Sequence, residues 1–410
     1  VAPGILRPYA EILRLPGTLK FTSFAFIARL PIAIEGLGIV LFVTDERGSY
    51  ALAGVLTGLY ALAGSAAQPF TGRIADRWGQ RRILPILATL QSIFLVAFVF
   101  AVNLGWSTGV LILIAVALGA SQPAIGGMVR ARWAAHVSNP AQVRTGFAIE
   151  SLLDEAIFII GPPLATFLAL SIAGGAPLIA SAILVFSGSL LLASQRRTEP
   201  PRREREEVRD RMPVAPLLVI VLATACLGIV FGALEIAFVA FADEVGQRGM
   251  TGVLYAVYSL ASLFAGLWFG AHHYRATLSK QWRAVCAALM VATVLLPFAS
   301  TMPVLLIFSF IAGFAVSPSL IIGLTLVEKT MPMSRLTEAL TWALSVIGVG
   351  MALAAAISGA LVQDHGARAA FIVCAVGGVM AFLVTAIGQP VLRKAENLAA
   401  SEAAPASNAD

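Results

Sequence analysis

The chain has 410 residues, 59% hydrophobic and 12% charged, with a mean hydropathy of +0.88. A soluble protein carries about twice that charged fraction, so the composition excludes a water-soluble globule and points to an integral membrane protein built for the lipid bilayer. The formal charge of +6 is accounted for by topology and needs no nucleic-acid partner.

Apolar runs of about 20 to 25 residues, each able to cross about 30 Å of hydrocarbon, predict twelve transmembrane helices in an all-α fold. In chain order they are 17–43, 50–71, 83–103, 107–129, 146–170 and 173–194, then 215–242, 250–271, 284–301, 303–327, 336–362 and 367–391. Barrel strands would instead be about ten residues long and alternate in polarity. The first run is too long for a cleaved leader and is read as a permanent helix. Residues 195–213, QRRTEPPRREREEVRDRMP, form the long polar interruption of the chain. They divide it into an N-terminal six-helix bundle (1–194), a cytoplasmic linker (195–213) and a C-terminal six-helix bundle (214–394). The composition of 395–410, Ala, Ser, Glu, Asn and Asp, predicts a disordered tail.

Of the 28 Lys and Arg, Arg47, Arg248 and Arg368 fall in loops on one side and Arg29 lies within a span; all others share the side of the two termini. Basic residues gather on the cytoplasmic face. Both termini are therefore expected in the cytoplasm, and the lack of long loops suits a multi-pass protein of a bacterial cytoplasmic membrane. Cys226, Cys286 and Cys374 lie in separate helices without pairing or metal-ligand spacing, so they are read as core residues. A phosphate-binding GxxxxGK[ST] run, a metal spacing and a nucleophile with its base are all missing from the sequence, so neither cofactor nor enzyme chemistry is expected.

The second half repeats the first. GVLTGLYALAGSAAQPFTGRIADR, from Gly54 to Arg77, aligns without gaps to GVLYAVYSLASLFAGLWFGAHHYR, from Gly252 to Arg275, with nine of 24 positions identical. Upstream, Glu35 in IAIEGLGIV is matched by Glu235 in GALEIAFVA. Two halves of one design predict a transporter that rocks one half against the other.

Between the second and third helices stands Gly72-Arg-Ile-Ala-Asp-Arg-Trp-Gly-Gln-Arg-Arg-Ile-Leu84. Gly72 and Gly79 would give close approach and backbone freedom, Asp76 would answer the positive end of a helix, and Arg77, Arg81 and Arg82 would hold the loop at the cytoplasmic surface. This resembles the signature of the major facilitator superfamily, and the resemblance extends over residues 7–394 in a 6+6 plan. It implies two pseudo-symmetric six-helix bundles, secondary transport by alternating access, a monomer, and a conformational latch at Gly72, Asp76, Arg77, Gly79 and Arg81. Gln80 replaces one basic position, and Tyr274 replaces the aspartate in the second copy, where Gly270 and Arg275 survive, so a one-sided latch is expected. Gly161-Pro162-Pro163 in helix 5 resembles the core of the family's antiporter motif, which implies a helix-5 kink. Ile157, Ala165 and Thr166 depart from that motif. Ala115 stands where proton-linked exporters of the family carry a helix 4 arginine, so that arginine's role does not transfer.

Ionisable groups within a span cost several kcal/mol, which makes each a functional candidate. They are Arg29, Glu35, Glu150, Asp154, Glu155 and Glu235. Glu150, one turn inside helix 5, is assigned to salt bridges with Arg130, Arg132 and Arg144. At about 1.5 Å per residue, Asp154 and Glu155 rise about 12 to 16 Å along helix 5 and Arg29 about 18 Å from Gly17, so Arg29 is expected to pair with one of them. Such a pair is either a fixed bridge or a proton-exchanging group that competes with substrate. Glu35 and Glu235 bind protons, attract a cationic substrate, or line a wet vestibule. The leading expectation is proton-coupled export of a small amphipathic or hydrophobic compound, with Arg29, Glu35, Asp154, Glu155 and Glu235 as coupling or substrate residues. Uptake of a sugar, organic anion or other nutrient is the alternative, and a non-transporting receptor or scaffold is the alternative of another class.

Overall fold

The structure, a computed structural model, describes residues 7–137, 139–201, 212–272, 276–332 and 335–403. Twelve helices are long and apolar enough to cross a membrane, and no strand occurs among the described residues. We number them α1 (Thr18–Arg47), α2 (Tyr50–Trp78), α3 (Gln80–Asn103), α4 (Thr108–His136), α5 (Thr145–Ser171), α6 (Ala176–Ser194), α7 (Val214–Glu244), α8 (Arg248–Phe269), α9 (Leu278–Phe298), α10 (Met302–Thr330), α11 (Glu338–His365) and α12 (Ala367–Ala399). Several run further than hydropathy alone predicts. Helix α2 continues to Trp78 and α4 to His136, because Arg-bearing turns remain helical after they leave the apolar stretch.

Proline divides some of these spans. Helix α1 is two segments, Thr18–Arg29 and Ile32–Arg47, that meet at Leu30-Pro31. Pro31 has no N–H to give to the preceding turn, so the ladder must restart there. Helix α4 is interrupted between Thr108–Ala120 and Ile125–His136, around Pro123. Broken helices put polar side chains and free backbone groups at membrane depth, where an unbroken apolar helix has none to offer.

The chain forms two compact units, Val1–Arg205 with Arg248–Ala256, and Glu206–Gln247 with Val257–Asp410. The first has a core around Trp133, with Phe21 edge-on at 4.9 Å between ring centroids, joined by Leu84, Met128, Ile149 and Leu192. The second has a matching core around Trp282, with Ile220, Ile322, Leu326 and Leu392. One helix crossing recurs in both units. A Cβ on Gly119 of α4 would lie 2.2 Å from the Tyr60 carbonyl oxygen of α2, and one on Gly313 of α10 would lie 2.1 Å from that of Tyr258 of α8. Only glycine permits such backbone contact, so the repeat seen in sequence is also a repeat of packing.

The polar interruption is described only in part, since residues 202–211, and with them most of the expected linker, lie outside the described residues. Its start makes a single helical turn, Arg196–Thr198, with Thr198 buried. The last helix continues to Ala403, into the segment expected to be disordered from 395, and residues 404–410 lie outside the described residues. Glu396 gives the reason: its carboxylate accepts from the amides of Leu278, at 2.9 Å, and Ser279, at 3.3 Å, and so fixes the extension to the start of α9.

Candidate functional site

Two polar clusters lie inside the first unit, and both are built on the helix breaks. Glu35 stands one turn after Pro31 and is fully buried. Tyr60 Oη of α2 donates to its Oε2 at 2.6 Å. Gln91 Nε2 of α3 donates to Oε1 at 2.9 Å and to Oε2 at 3.0 Å. Gln122, in the break of α4, donates from Nε2 to Tyr60 Oη. Gly64 makes room for that amide, since a Cβ there would lie 2.6 Å from Gln122 Oε1. Every group that bonds to this carboxyl is neutral. Gln91 Oε1 is buried and has no hydrogen-bond partner among the described residues. With the amide turned over, that oxygen would accept a hydrogen bond from a protonated Glu35, so Gln91 can serve either state of the carboxyl.

The second cluster is ionic. Arg29, fully buried at the end of the first segment of α1, donates from Nη1 to Asp154 Oδ1 at 2.7 Å, from Nη2 to Glu150 Oε2, and from Nε to the Ala25 carbonyl at 3.3 Å. Arg130 Nη2 meets Asp154 Oδ2 at 2.8 Å, and Trp133 Nε1 donates to Glu150 Oε1 at 2.8 Å. Two guanidinium groups thus face two carboxylates. Glu150 and Asp154 are four residues apart on one helical face, which lets the planar fork of Arg29 reach both. The expected partners of Glu150 are corrected here. Arg130 goes to Asp154, and Arg132 turns to Gln80 Oε1 at 2.7 Å and to the Gln195 carbonyl and Thr198 Oγ1 at 3.0 Å each. The side chain of Arg144 lies outside the described residues. Asp154 is 37% exposed while Glu150 is closed off, so Asp154 is the accessible member. Glu155, half-buried, follows it on α5.

At the motif between α2 and α3, Gly79 ends α2 with φ of 92°, a conformation that favours glycine, and α3 begins at once with Gln80. The change from a basic residue to Gln80 has a local cause. Its buried amide donates to the Met128 carbonyl at 2.9 Å and accepts from Arg132, a place where a second cation would be repelled. The Arg81 amide donates to Glu199 Oε1 at 2.9 Å. Asp76, Arg77 and the Arg81 side chain are exposed. A Cβ on Gly72 would meet nothing within 4 Å among the described residues.

Gly161-Pro162-Pro163 lies within α5, whose helix continues on both sides. It is a packing surface: a Cβ on Gly161 would be 2.7 Å from Ala33 Cβ, and one on Gly252 would be 2.5 Å from Pro163 Cα. Near this contact Arg248 donates to Asp45 Oδ1 at 3.1 Å, to the Leu41 carbonyl at 3.1 Å and to Thr44 Oγ1 at 3.0 Å. Sequence reasoning gave Arg248 only a topological role. Its rarity on the less basic side is the signal that was available.

In the second unit Glu235 is partly exposed on α7 and forms no hydrogen bond or ion pair among the described residues. Tyr258, the counterpart of Tyr60 in the repeat, has a buried hydroxyl without a hydrogen-bond partner among the described residues, and its ring stands edge-on to Phe238 at 6.4 Å between centroids. The structure therefore brings Arg29 and Asp154 together, gives Glu35 a polar shell of its own, and leaves Glu235 outside any such cluster. Gln91 and Gln122 were missed in sequence, although an amide inside an apolar span is itself a signal.

The comparisons with known proteins agree with this architecture. The family model described as Major Facilitator Superfamily matches residues 22–283 and 220–408. No curated protein matches the sequence. Among solved structures, the nucleoside transporter NupG aligns at a TM-score of 0.71 and 14% identity, over 93% of this chain and 100% of that one. A bacterial homolog of the human lysosomal transporter Spinster, in an inward-facing and occupied conformation, aligns at 0.65 and 15%, over 96% and 97%. A bacterial homologue of the iron transporter ferroportin, in an inward-facing state, aligns at 0.65 and 14%, over 94% and 99%. At such identities the likeness is one of fold. With its family match, its twelve helices and its repeated halves, this chain belongs to the Major Facilitator Superfamily and is a transporter rather than an enzyme.

Proposed function

We propose that the protein is a proton-coupled exporter of a small amphipathic or hydrophobic compound, working by alternating access as a monomer in a bacterial cytoplasmic membrane with both termini in the cytoplasm. The observation that carries the coupling is Glu35. Its carboxyl is buried among neutral donors, with no cation bonded to it among the described residues, and Gln91 can pair with it charged or protonated. A proton arriving there changes the charge of the cluster by one unit, and a buried charge without a counter-ion is costly enough to favour one conformation over another. Glu35 is thus the proton site.

Asp154 and Glu150 play a different part. They share Arg29 and Arg130 in a balanced cluster, which suits a fixed element, with the exposed edge of Asp154 available to substrate. Glu155 and Glu235 stay secondary. The latch role of Gly72, Asp76, Arg77, Gly79 and Arg81 is part of the same proposal. Export is supported by the packed Gly161-Pro162-Pro163 surface, given its likeness to the antiporter motif. Nutrient uptake is favoured by one observation, the fully buried Ala115 in place of the exporters' arginine.

The test uses inside-out vesicles with an acid interior and a pH-sensitive dye, challenged with amphipathic cations, neutral aromatics, sugars and organic anions. Proton efflux provoked by one class in wild type and absent in Glu35→Gln is the expected result. Full efflux in Glu35→Gln, or uptake of a sugar or anion without proton movement, overturns the reading.

A further inference from the structure

The second unit carries, on its outer surface, a cationic groove that the transport reading does not use. It is a cavity of about 660 Å³ between α9 and α12, lined by Lys280, Arg283, Gln389, Arg393, Lys394 and Asn397. The four cations are exposed, and none of them forms an ion pair among the described residues. Arg283 is held by Gln389 through Nη1. Glu396, the acid beside them in sequence, is already committed to the amides of Leu278 and Ser279. Four like charges in one groove raise the local positive potential and favour binding of an anion.

Lys280 also lines a second cavity, of about 720 Å³, whose walls are almost wholly apolar: Trp268, Phe269, Phe310 and Phe314, with Ala284 and Ala288. Lys280, Ala284 and Ala288 follow one another at four-residue spacing, so they form a single stripe along α9. Lys280 is common to both cavities, and a path runs through it from the cationic cavity to the apolar one. Trp268, on the wall of the apolar cavity, stacks on His272 at 4.5 Å between ring centroids.

We propose that this path binds an anionic phospholipid of the cytoplasmic leaflet. Its phosphate lies among Lys280, Arg283, Arg393 and Lys394, and an acyl chain lies along Ala284 and Ala288 between the aromatic walls. Basic pockets between helices on the cytoplasmic side recognise such headgroups, and the apolar cavity distinguishes a lipid from a soluble phosphate ester. The leaflet follows from the topology proposed above, and the binding itself does not depend on the transported substrate.

Native mass spectrometry of the purified full-length protein reads the bound lipid directly. Wild type is expected to retain phosphatidylglycerol in preference to phosphatidylcholine, with affinity falling about fivefold for each cation removed among Lys280→Gln, Arg283→Gln, Arg393→Gln and Lys394→Gln. Ala284→Phe with Ala288→Phe fills the apolar path at two exposed positions, leaves every cation in place, and is also expected to weaken retention. Equal retention of the two lipids, or retention unchanged in both sets of variants, overturns the proposal. Displacement of phosphatidylglycerol by millimolar glycerol phosphate overturns it in favour of a soluble phosphate ester.

Discussion

Glu35 and Glu235 occupy matching places in the two halves of the sequence, and their surroundings differ. Around Glu35 the first unit supplies Tyr60, Gln91 and Gln122. Around Glu235 the second unit supplies no bonding partner among the described residues, and the equivalent tyrosine, Tyr258, leans on Phe238 with its hydroxyl unpaired. The glycine crossing that seats each tyrosine is the same, Gly119 at Tyr60 and Gly313 at Tyr258. A repeated scaffold has thus kept its backbone contacts while only one copy has built a polar interior. Symmetry of fold does not carry symmetry of chemistry, which lives in particular side chains.

The largest expected effect is on the ionic cluster of the polar unit. Arg29→Met leaves Glu150 and Asp154 short of a cation, and removing one partner of a buried pair costs about 3 to 5 kcal/mol. Thermal unfolding in detergent should show a large loss, partly rescued by adding Glu150→Gln; a midpoint unchanged by Arg29→Met would mean the cluster is not load-sharing at all.

The tyrosines test the comparison itself. Tyr60→Phe removes a hydrogen bond to a carboxyl and should cost about 1.5 to 3 kcal/mol. Tyr258→Phe removes a hydroxyl with no partner and should be neutral or slightly stabilising. Equal losses at the two positions in the same unfolding assay would erase the contrast.

Gly64→Ala should act on the same shell from behind. The added methyl needs the space of Gln122 Oε1, so the amide must move or lose its bond to Tyr60, at a cost of about 0.5 to 1.5 kcal/mol. The paired change Gly64→Ala with Gln122→Ala should cost less than the sum of the two single changes, and strict additivity would contradict the contact.

A smaller effect is expected from Arg248→Gln, which weakens the fastening of the start of α8 to Asp45 and Thr44. Exposed pairs of this kind are worth about 0.2 to 1 kcal/mol. Stability should hardly change, while hydrogen exchange of the amides of residues 249–253 should rise. Exchange that stays the same would show that the packing of Gly252 on Pro163 holds the segment alone.

Much of this contrast was hidden in the sequence for a physical reason. The spans are legible because hydrocarbon demands length and apolarity from each helix separately. Arg29 and Asp154 were also within reach, since rise per residue places both at similar depth in helices of the same direction. The Glu35 shell was not, because its members come from α1, α2, α3 and α4 and are brought together by breaks at Pro31 and Pro123, whose direction no local pattern specifies. Glu150 was misassigned because nearby arginines in sequence were preferred to Arg29, which is remote in sequence and adjacent in space. Composition hid the ordered end of α12 in the same way, since the amides of Leu278 and Ser279 that donate to the Glu396 carboxylate lie on another helix.

The most direct measurement is an infrared difference spectrum, high pH against low, of the protein in bilayers, run for wild type, Glu35→Gln and Glu235→Gln. If Glu35 is the proton site, the band of a buried protonated carboxyl appears in wild type, is lost in Glu35→Gln and persists in Glu235→Gln. A band that survives in Glu35→Gln, or disappears in Glu235→Gln instead, would place the proton elsewhere and contradict the account.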